Sequence, residues 1–252
     1  MMNDKCSIII PAYNQADKTV RAVESCLKQT YPCEVIVVDD GSTDETIPKI
    51  QAIEGIICIL QKNQGCSNAR NTGIAIATGK YIAFLDCDDY YELNKIELSI
   101  AYLNCYRQCM FVHTNVYVPG LNNISGEFET KVWLEPGWVE KKPKIGNLLF
   151  KNYIFNSTPV IRRSWMMDNL FDESLFIAAD WDMWLRLSET RLWDINKEIM
   201  IDDSRRIGYL DLPLTYIGGL KFPKRVMRFK DGQFDTLGTL NQGFREPLQG
   251  VS

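Results

Sequence analysis

Tyr81-Ile82-Ala83-Phe84-Leu85-Asp86-Cys87-Asp88-Asp89 couples a short apolar run to an acidic triplet. The apolar part, Tyr81 to Leu85, reads as a buried strand, because it lacks the polar alternation of a strand with one face in water. Carboxylates set directly after such a strand are placed to hold a cation. Side chains alternate along an extended chain, so Asp86 and Asp88 are expected on one side and Cys87 on the other. Two hard oxygen ligands then converge on one ion, an arrangement that suits Mg²⁺ or Mn²⁺ bridging a diphosphate.

Upstream, Ser7-Ile8-Ile9-Ile10 and Val35-Ile36-Val37-Val38 are continuous apolar or β-branched runs of the same kind. Between them Ala16, Val20, Val23 and Leu27 fall at helical spacing. A second helix is expected from Ser42, with Ser42 and Glu45 as a capping box and Ile47, Ile50 and Ile53 as its buried face. Gly55 to Leu60 reads as a third strand, and a helix follows from about Ser67 to Ala77, ended by Gly79. Leu93, Ile96, Ile100 and Leu103 mark another helix, and Met110 to His113 open a further strand. Regular alternation of strand and helix predicts an α/β fold with a mostly parallel sheet between helices.

The second half is less regular. Pro119 to Pro143 reads as an irregular or hairpin insertion, Phe155 to Arg163 as a strand, and Ala179 to Glu189 as a helix with Trp181, Trp184, Leu185 and Ser188 along one side. From Gly218 the chain is polar and lacks a core pattern. No internal repeat occurs.

Composition narrows the function classes. The 252 residues suffice for one large core, and the net charge of −4 speaks against nucleic-acid binding, which calls for a basic surface. The eight cysteines contain no Cys-x-x-Cys pair and His113 is the single histidine, so a structural zinc site is not expected. With no apolar signal segment at the N-terminus and no apolar run near the ~18 residues that span a bilayer, the expectation is a cytoplasmic protein with free thiols. Any membrane contact would then be peripheral, at the inner face. Asn123-Ile124-Ser125 and Asn156-Ser157-Thr158 match the glycosylation pattern and, without a secretory signal, are read as chance matches.

Ligands of open parallel sheets collect beyond the carboxyl ends of the strands. Three segments fall there: Pro11-Ala12-Tyr13-Asn14, Asp39-Asp40-Gly41-Ser42-Thr43-Asp44 and Asp86-Cys87-Asp88-Asp89. One such carboxylate is readily a helix cap, the role expected of Asp44. Two acidic clusters at neighbouring strand ends repel each other unless a cation or a hydrogen-bonding ligand joins them.

These segments, together with Asn68-Ala69-Arg70-Asn71-Thr72-Gly73, resemble family 2 of the glycosyltransferases in order and spacing across about the first hundred residues. Ala179-Asp180-Trp181-Asp182-Met183-Trp184-Leu185-Arg186 resembles the family's later acidic helix start. The resemblance implies the GT-A fold, a Rossmann-like sheet with a smaller C-terminal acceptor-side region. Within it, residues 1–118 form a nucleotide-sugar-binding half, 119–217 an acceptor-side half of the same domain, and 218–252 a tail or lid.

The resemblance also implies roles. Pro11, Ala12, Tyr13 and Asn14 border the nucleotide, and Asp40 hydrogen-bonds the uracil imide of a UDP-sugar. Arg70 flanks the base or reaches a phosphate, Asp86 lies at the ribose and metal, and Asp88 ligates Mn²⁺ or Mg²⁺. Asp180 is the catalytic base, although a carboxylate at a helix start also has the plain reading of a charge favoured by the macrodipole. Asp182 stands four residues before Arg186, the spacing of a helical ion pair. Some relatives add a later histidine ligand. His113, on a strand before the insertion, is read as structural, leaving water and diphosphate to complete the coordination sphere.

Cys66 and Cys87 have no paired histidine and are read as packing residues rather than nucleophiles. Trp181 is the acceptor-side candidate among the tryptophans. Lys221 to Lys230 mixes cations with apolar residues and has three readings: contact with anionic lipid, a solvated tail, or a lid.

The implied activity is inverting transfer of a sugar from a nucleotide-diphospho-sugar to a hydroxyl acceptor, a sugar or a lipid-linked molecule, in polysaccharide or glycoconjugate synthesis. The rival readings are a sugar nucleotidyltransferase and a non-catalytic nucleotide-sugar-binding protein. No pattern points to a particular oligomeric state.

Overall fold

A computed structural model describes residues 4–107, 109–119, 130–132, 152, 154–189, 207–216, 226–230 and 233–237. Four strands form a parallel block in the order β3-β2-β1-β4: β1 (Cys6–Ala12), β2 (Cys33–Asp39), β3 (Ile56–Leu60) and β4 (Tyr81–Phe84). The chain runs outward from β1 to β3 and then returns to place β4 on the other flank of β1. A topological switch therefore opens between β1 and β4, and ligands of such sheets bind beyond it.

Side-chain alternation divides the core between the two faces of this block. Ile8, Ile10, Val35, Val37, Tyr81 and Ala83 belong to one cluster, and Ile9, Ile36, Val38, Ile82 and Phe84 to the other. Both faces are covered, which is why the runs are apolar without interruption. The first face is packed by α1 (Ala16–Leu27), α2 (Thr46–Gln51) and α4 (Lys95–Cys105), through residues such as Val23, Ile50 and Ile100. The second is packed by α3 (Cys66–Ile76), α5 (Arg163–Met166) and α6 (Ala179–Glu189), through Ile74, Met166 and Trp184.

Beyond β4 the sheet becomes mixed. β8 (Val160–Arg162) is antiparallel to β4, β6 (Phe111–Pro119) is antiparallel to β8, and β9 (Ile207–Tyr216) is parallel to β6. β5 (Tyr90–Tyr91) closes that edge against β9, and β7 (Thr130–Val132) pairs antiparallel with β6. The chain divides into two compact units, Met1–Gly219 and Leu220–Ser252. In the second, β10 (Val226–Lys230) and β11 (Gln233–Leu237) form an antiparallel pair.

Several expectations change. α2 begins at Thr46 rather than Ser42, because Ser42 is otherwise engaged: its N–H donates to Asp39 Oδ1 at 2.8 Å and its hydroxyl accepts the Asn14 N–H at 2.9 Å. Asp44 takes up the Thr46 N–H instead, at 2.9 Å, the capping role read for it. In α1 the buried stripe is Thr19, Ala22, Val23 and Cys26, so Leu27 faces water. Thr19 tolerates burial because its hydroxyl donates to the Gln15 carbonyl at 2.8 Å. In α6 the buried residues are Ala179, Met183, Trp184 and Leu187, with Trp181 and Leu185 only partly packed.

The strand expected from Phe155 shortens to three residues, and Asn156 and Ser157 occupy a turn before it. β9 has no counterpart in the sequence reading. It contains Pro213, which lacks an N–H for the ladder, and the pairing with β6 shifts register where Asn115 meets Pro213. The tail, read as patternless, contains the β10–β11 pair. Trp133, Trp138, Trp193, Asn123 and Lys221 to Arg225 lie outside the described residues.

Candidate active site

Three backbone features bring the polar residues together. β1 and β2 end in register, Ala12 opposite Asp39, so the segments after them share one rim of the sheet. Asn14 adopts φ +50°, a left-handed conformation that asparagine tolerates, and its Oδ1 accepts the Thr43 N–H at 2.8 Å. Asn14 thus stitches the two strand ends. α3 then lies close over β1, because any side chain at Gly73 would collide with Ile9.

A cleft of about 920 Å³ opens on this rim. Pro11, Ala12, Tyr13, Asp40, Arg70, Asp86 and Asp180, all singled out from the sequence, line it. Asn14, Asp88 and Trp181 are not among the lining residues. Asn156, Glu173 and Phe176 line it and were not foreseen.

Asp40 is buried and shapes the wall. Its Oδ1 accepts from Gln61 Nε2 and the Gln64 N–H at 2.8 and 2.9 Å, and its Oδ2 accepts the Gly65 N–H at 2.8 Å. The carboxylate therefore holds the loop that leads into α3, with lone-pair capacity to spare for a further donor.

Arg70 is buried and clamps Asp86, Nη2 to Oδ1 at 2.7 Å, over the ring of Phe171. Burial opposes the guanidinium charge, and Asp86 together with the other acidic groups nearby more than offsets it, so the arginine stays ionised. Asn156 Nδ2 donates to the same Asp86 oxygen at 3.1 Å. Both donors fall on one oxygen, so Asp86 Oδ2 keeps its acceptor capacity. Arg70 Nε and Asn156 Oδ1 are buried without hydrogen-bond partners.

The acidic triplet is a turn rather than a continued strand, since the Asp89 N–H donates to the Asp86 carbonyl at 2.9 Å. The alternation expected for Asp86 and Asp88 therefore does not apply. The two carboxylates nevertheless sense one another: burial first, then the Asp86 charge, push the Asp88 carboxyl above its ordinary range. Asp89 lies buried and accepts the Ser157 hydroxyl, and that hydroxyl's oxygen accepts the Asp86 N–H at 3.0 Å. The turn at Asn156 and Ser157 is thus what fixes the triplet.

Asp180 stands in the first turn of α6. Its Oδ1 accepts the Trp181 N–H at 2.8 Å and its Oδ2 accepts Asn152 Nδ2 at 3.0 Å. Burial raises its pKa, with the Trp181 hydrogen bond and the Arg70 charge pulling the other way. Asp182 pairs with Arg186 Nε at 2.8 Å, as its spacing indicates. Burial pushes the Cys87 thiol up to about 12, so it carries no thiolate near neutral pH. His113 lies buried in β6 and burial lowers it to about 3, which keeps it neutral.

Residues 7–162 match the model of glycosyl transferase family 2. The chain belongs to that family. A glycosyltransferase of Rickettsia bellii, itself uncharacterised, is 34% identical over 208 residues, covering 77% of this chain and 28% of that protein. The chain thus spans under a third of that relative. Two solved structures share the fold: S. aureus TarS in complex with UDP-GlcNAc (TM-score 0.63, 20% identity, 84% of this chain and 58% of that one), and the Pyrobaculum calidifontis mannosyltransferase PcManGT in complex with GDP-Man and Mn²⁺ (TM-score 0.61, 16% identity, 86% and 57%). The architecture of this family 2 chain is accordingly GT-A. Among the described residues no helix is long and apolar enough to cross a membrane.

The unforeseen members of this family 2 site fall into two kinds. Asn156 sits in Asn156-Ser157-Thr158, three turn-forming residues in a row, and that is the signal that argued against a strand from Phe155. Glu173 and Phe176 lie on a connection with no periodicity, so no pattern marks them.

Proposed function

We propose that this chain transfers a sugar from a UDP-sugar to a hydroxyl acceptor, with inversion at the anomeric carbon. The observation that carries the reading is that the strand-end residues Pro11, Ala12, Tyr13 and Asp40 share one cleft with Asp86 and with a carboxylate, Asp180, whose basicity burial has raised. The uridine lies against Tyr13 and takes the remaining acceptor capacity of Asp40. The Arg70 clamp presents Asp86 to the ribose and diphosphate. Asp180 accepts the acceptor hydroxyl's proton as that oxygen attacks the side of the anomeric carbon opposite the diphosphate, a single displacement that inverts the centre.

A divalent cation suits the chemistry of the donor set. Asp88 and Asp86 offer hard oxygens; burial and then the Asp86 charge push the Asp88 carboxyl up, and a cation relieves the second of these. No group of three His, Cys, Asp or Glu arranged to hold a metal occurs among the described residues. Mg²⁺-type ions take one or two carboxylates and leave the other positions to phosphate and water. Asp88 and Asp86 would hold the ion, which when bound supplies Lewis-acid stabilisation of the departing diphosphate. The TarS complex with UDP-GlcNAc and the PcManGT complex with Mn²⁺ support this choice of donor and ion.

The test is thermal. A ligand at a hundred times its Kd stabilises by about 2.7 kcal/mol, a Tm rise of roughly 5–10 °C for a domain of this size. UDP with Mn²⁺ is expected to give such a rise, and Asp88→Ala to remove its metal-dependent part. An unchanged metal response in that variant would take Asp88 out of the site. In turnover, free UDP is the expected product, whereas pyrophosphate would mean nucleotidyl transfer.

A further inference from the structure

Leu175-Phe176-Ile177-Ala178 forms the lip of the cleft just before Asp180, and it exposes apolar side chains: Phe176 is 99% and Ile177 80% exposed. The segment is held from both sides. Asn71 Oδ1 accepts the Phe171 N–H at 2.9 Å while its Nδ2 donates to the Phe171 carbonyl and to Glu173 Oε1, at 2.9 and 2.8 Å. Asn68 Nδ2 donates to the other Glu173 oxygen at 2.8 Å. On the far side Ala178 takes φ +60°, a conformation that costs a residue with a Cβ, and its carbonyl accepts the Asp182 N–H at 3.0 Å to start α6. An anchored loop that ends in a strained residue keeps an aromatic ring in water on the wall that also carries Asp180.

We propose that Phe176 is the acceptor platform: its ring takes the C–H face of a neutral sugar whose hydroxyl group is presented to Asp180. This rests on the reading of Asp180 as the base. A sugar ring offers an apolar face and hydroxyl edges together, and the lip supplies the matching aromatic beside the carboxylates of Glu173 and Asp180. A membrane surface fits poorly. Asp172, Glu173, Asp180 and Asp182 flank the segment in the chain, Asp182 paired with Arg186, and the amides of Asn71 and Asn68 hold Glu173 below its ordinary pKa, so it stays charged and repels anionic lipid.

Saturation-transfer NMR on the full chain, with and without saturating UDP and Mn²⁺, tests this with the methyl β-glycosides of glucose, galactose, N-acetylglucosamine and N-acetylgalactosamine as probes. At least one glycoside is expected to bind, with its Kd raised at least tenfold by Phe176→Ala and kept within threefold by Phe176→Trp. All three proteins should show the same Tm rise with UDP and Mn²⁺. Equal binding by wild type and Phe176→Ala, loss in both variants, or no binding of any glycoside to wild type would overturn the platform. So would Phe176-dependent binding to phosphatidylglycerol vesicles. Phe176-dependent glycoside binding without any UDP response would instead strike the donor assignment and leave the platform standing.

Discussion

The proposed role of Asp180 as the base rests on how its carboxylate is held. Burial withholds solvent from its charged form and raises its pKa, while the Trp181 N–H and Asn152 fix its orientation. Asp180→Asn keeps the shape and removes the proposed proton acceptor. The expected result is a UDP and Mn²⁺ response like that of wild type with transfer slowed by about 10²–10⁴-fold, the usual worth of a general base. Because only the ionised carboxylate accepts a proton, activity should rise with pH through the raised pKa. The acidic limb of kcat is therefore predicted above the ordinary aspartate value of about 3.9, and a limb that survives unmoved in Asp180→Asn would assign it to another group.

α3 places Arg70 by lying unusually close to the sheet, and the missing side chain at Gly73 permits that contact with Ile9. Gly73→Ala forces the helix outward from β1. Overpacking of this kind costs about 1–3 kcal/mol, to be read from urea unfolding, and the displaced Arg70 clamp on Asp86 should weaken UDP binding as well. A substitution that leaves both stability and the UDP response unchanged would show that the helix has slack at this point.

Lys95 contributes to how stability responds to pH just above neutrality. It is fully buried on the face of the sheet away from α3, its Nζ has no hydrogen-bond partner, and it lies 4.4 Å from the Tyr91 ring centroid among Cys6, Cys26 and Cys33. Burial lowers its pKa to about 7, against the pull of those thiols. Between about pH 7 and the free-lysine value near 10.4 the unfolded chain binds a proton that the folded chain does not, so this group makes stability rise with pH. The buried thiols, pushed well up by burial at Cys26 and to about 12 at Cys33, act in the opposite sense once pH passes the free-cysteine value near 8.5. The net rise is expected between about pH 7 and 8.5. Lys95→Met should flatten it and raise Tm at pH 7, because an unpaired buried amine is replaced by a side chain of similar length without the charge. A lower Tm in that variant would mean the lysine contributes net stability.

The parallel block and the acidic strand ends were legible because both are local. Ile8 to Ile10 and Val35 to Val38 announce strands covered on two faces, and a carboxylate just after such a strand falls on the sheet rim wherever the helices lie. Partners were not legible, because hydrogen bonds across long separations leave no mark in the chain near either end. Nothing around Asp86 foretells that Arg70 and Asn156 meet on one of its oxygens, or that Ser157 converts the triplet into a turn. β9 escaped notice because Pro213 breaks the pattern of a strand whose pairing tolerates the break by shifting register. Which residue types stand at the mouth of the cleft follows from the order of amino acids; which atom of each remains open to a ligand follows from packing, since burial and competing donors set it.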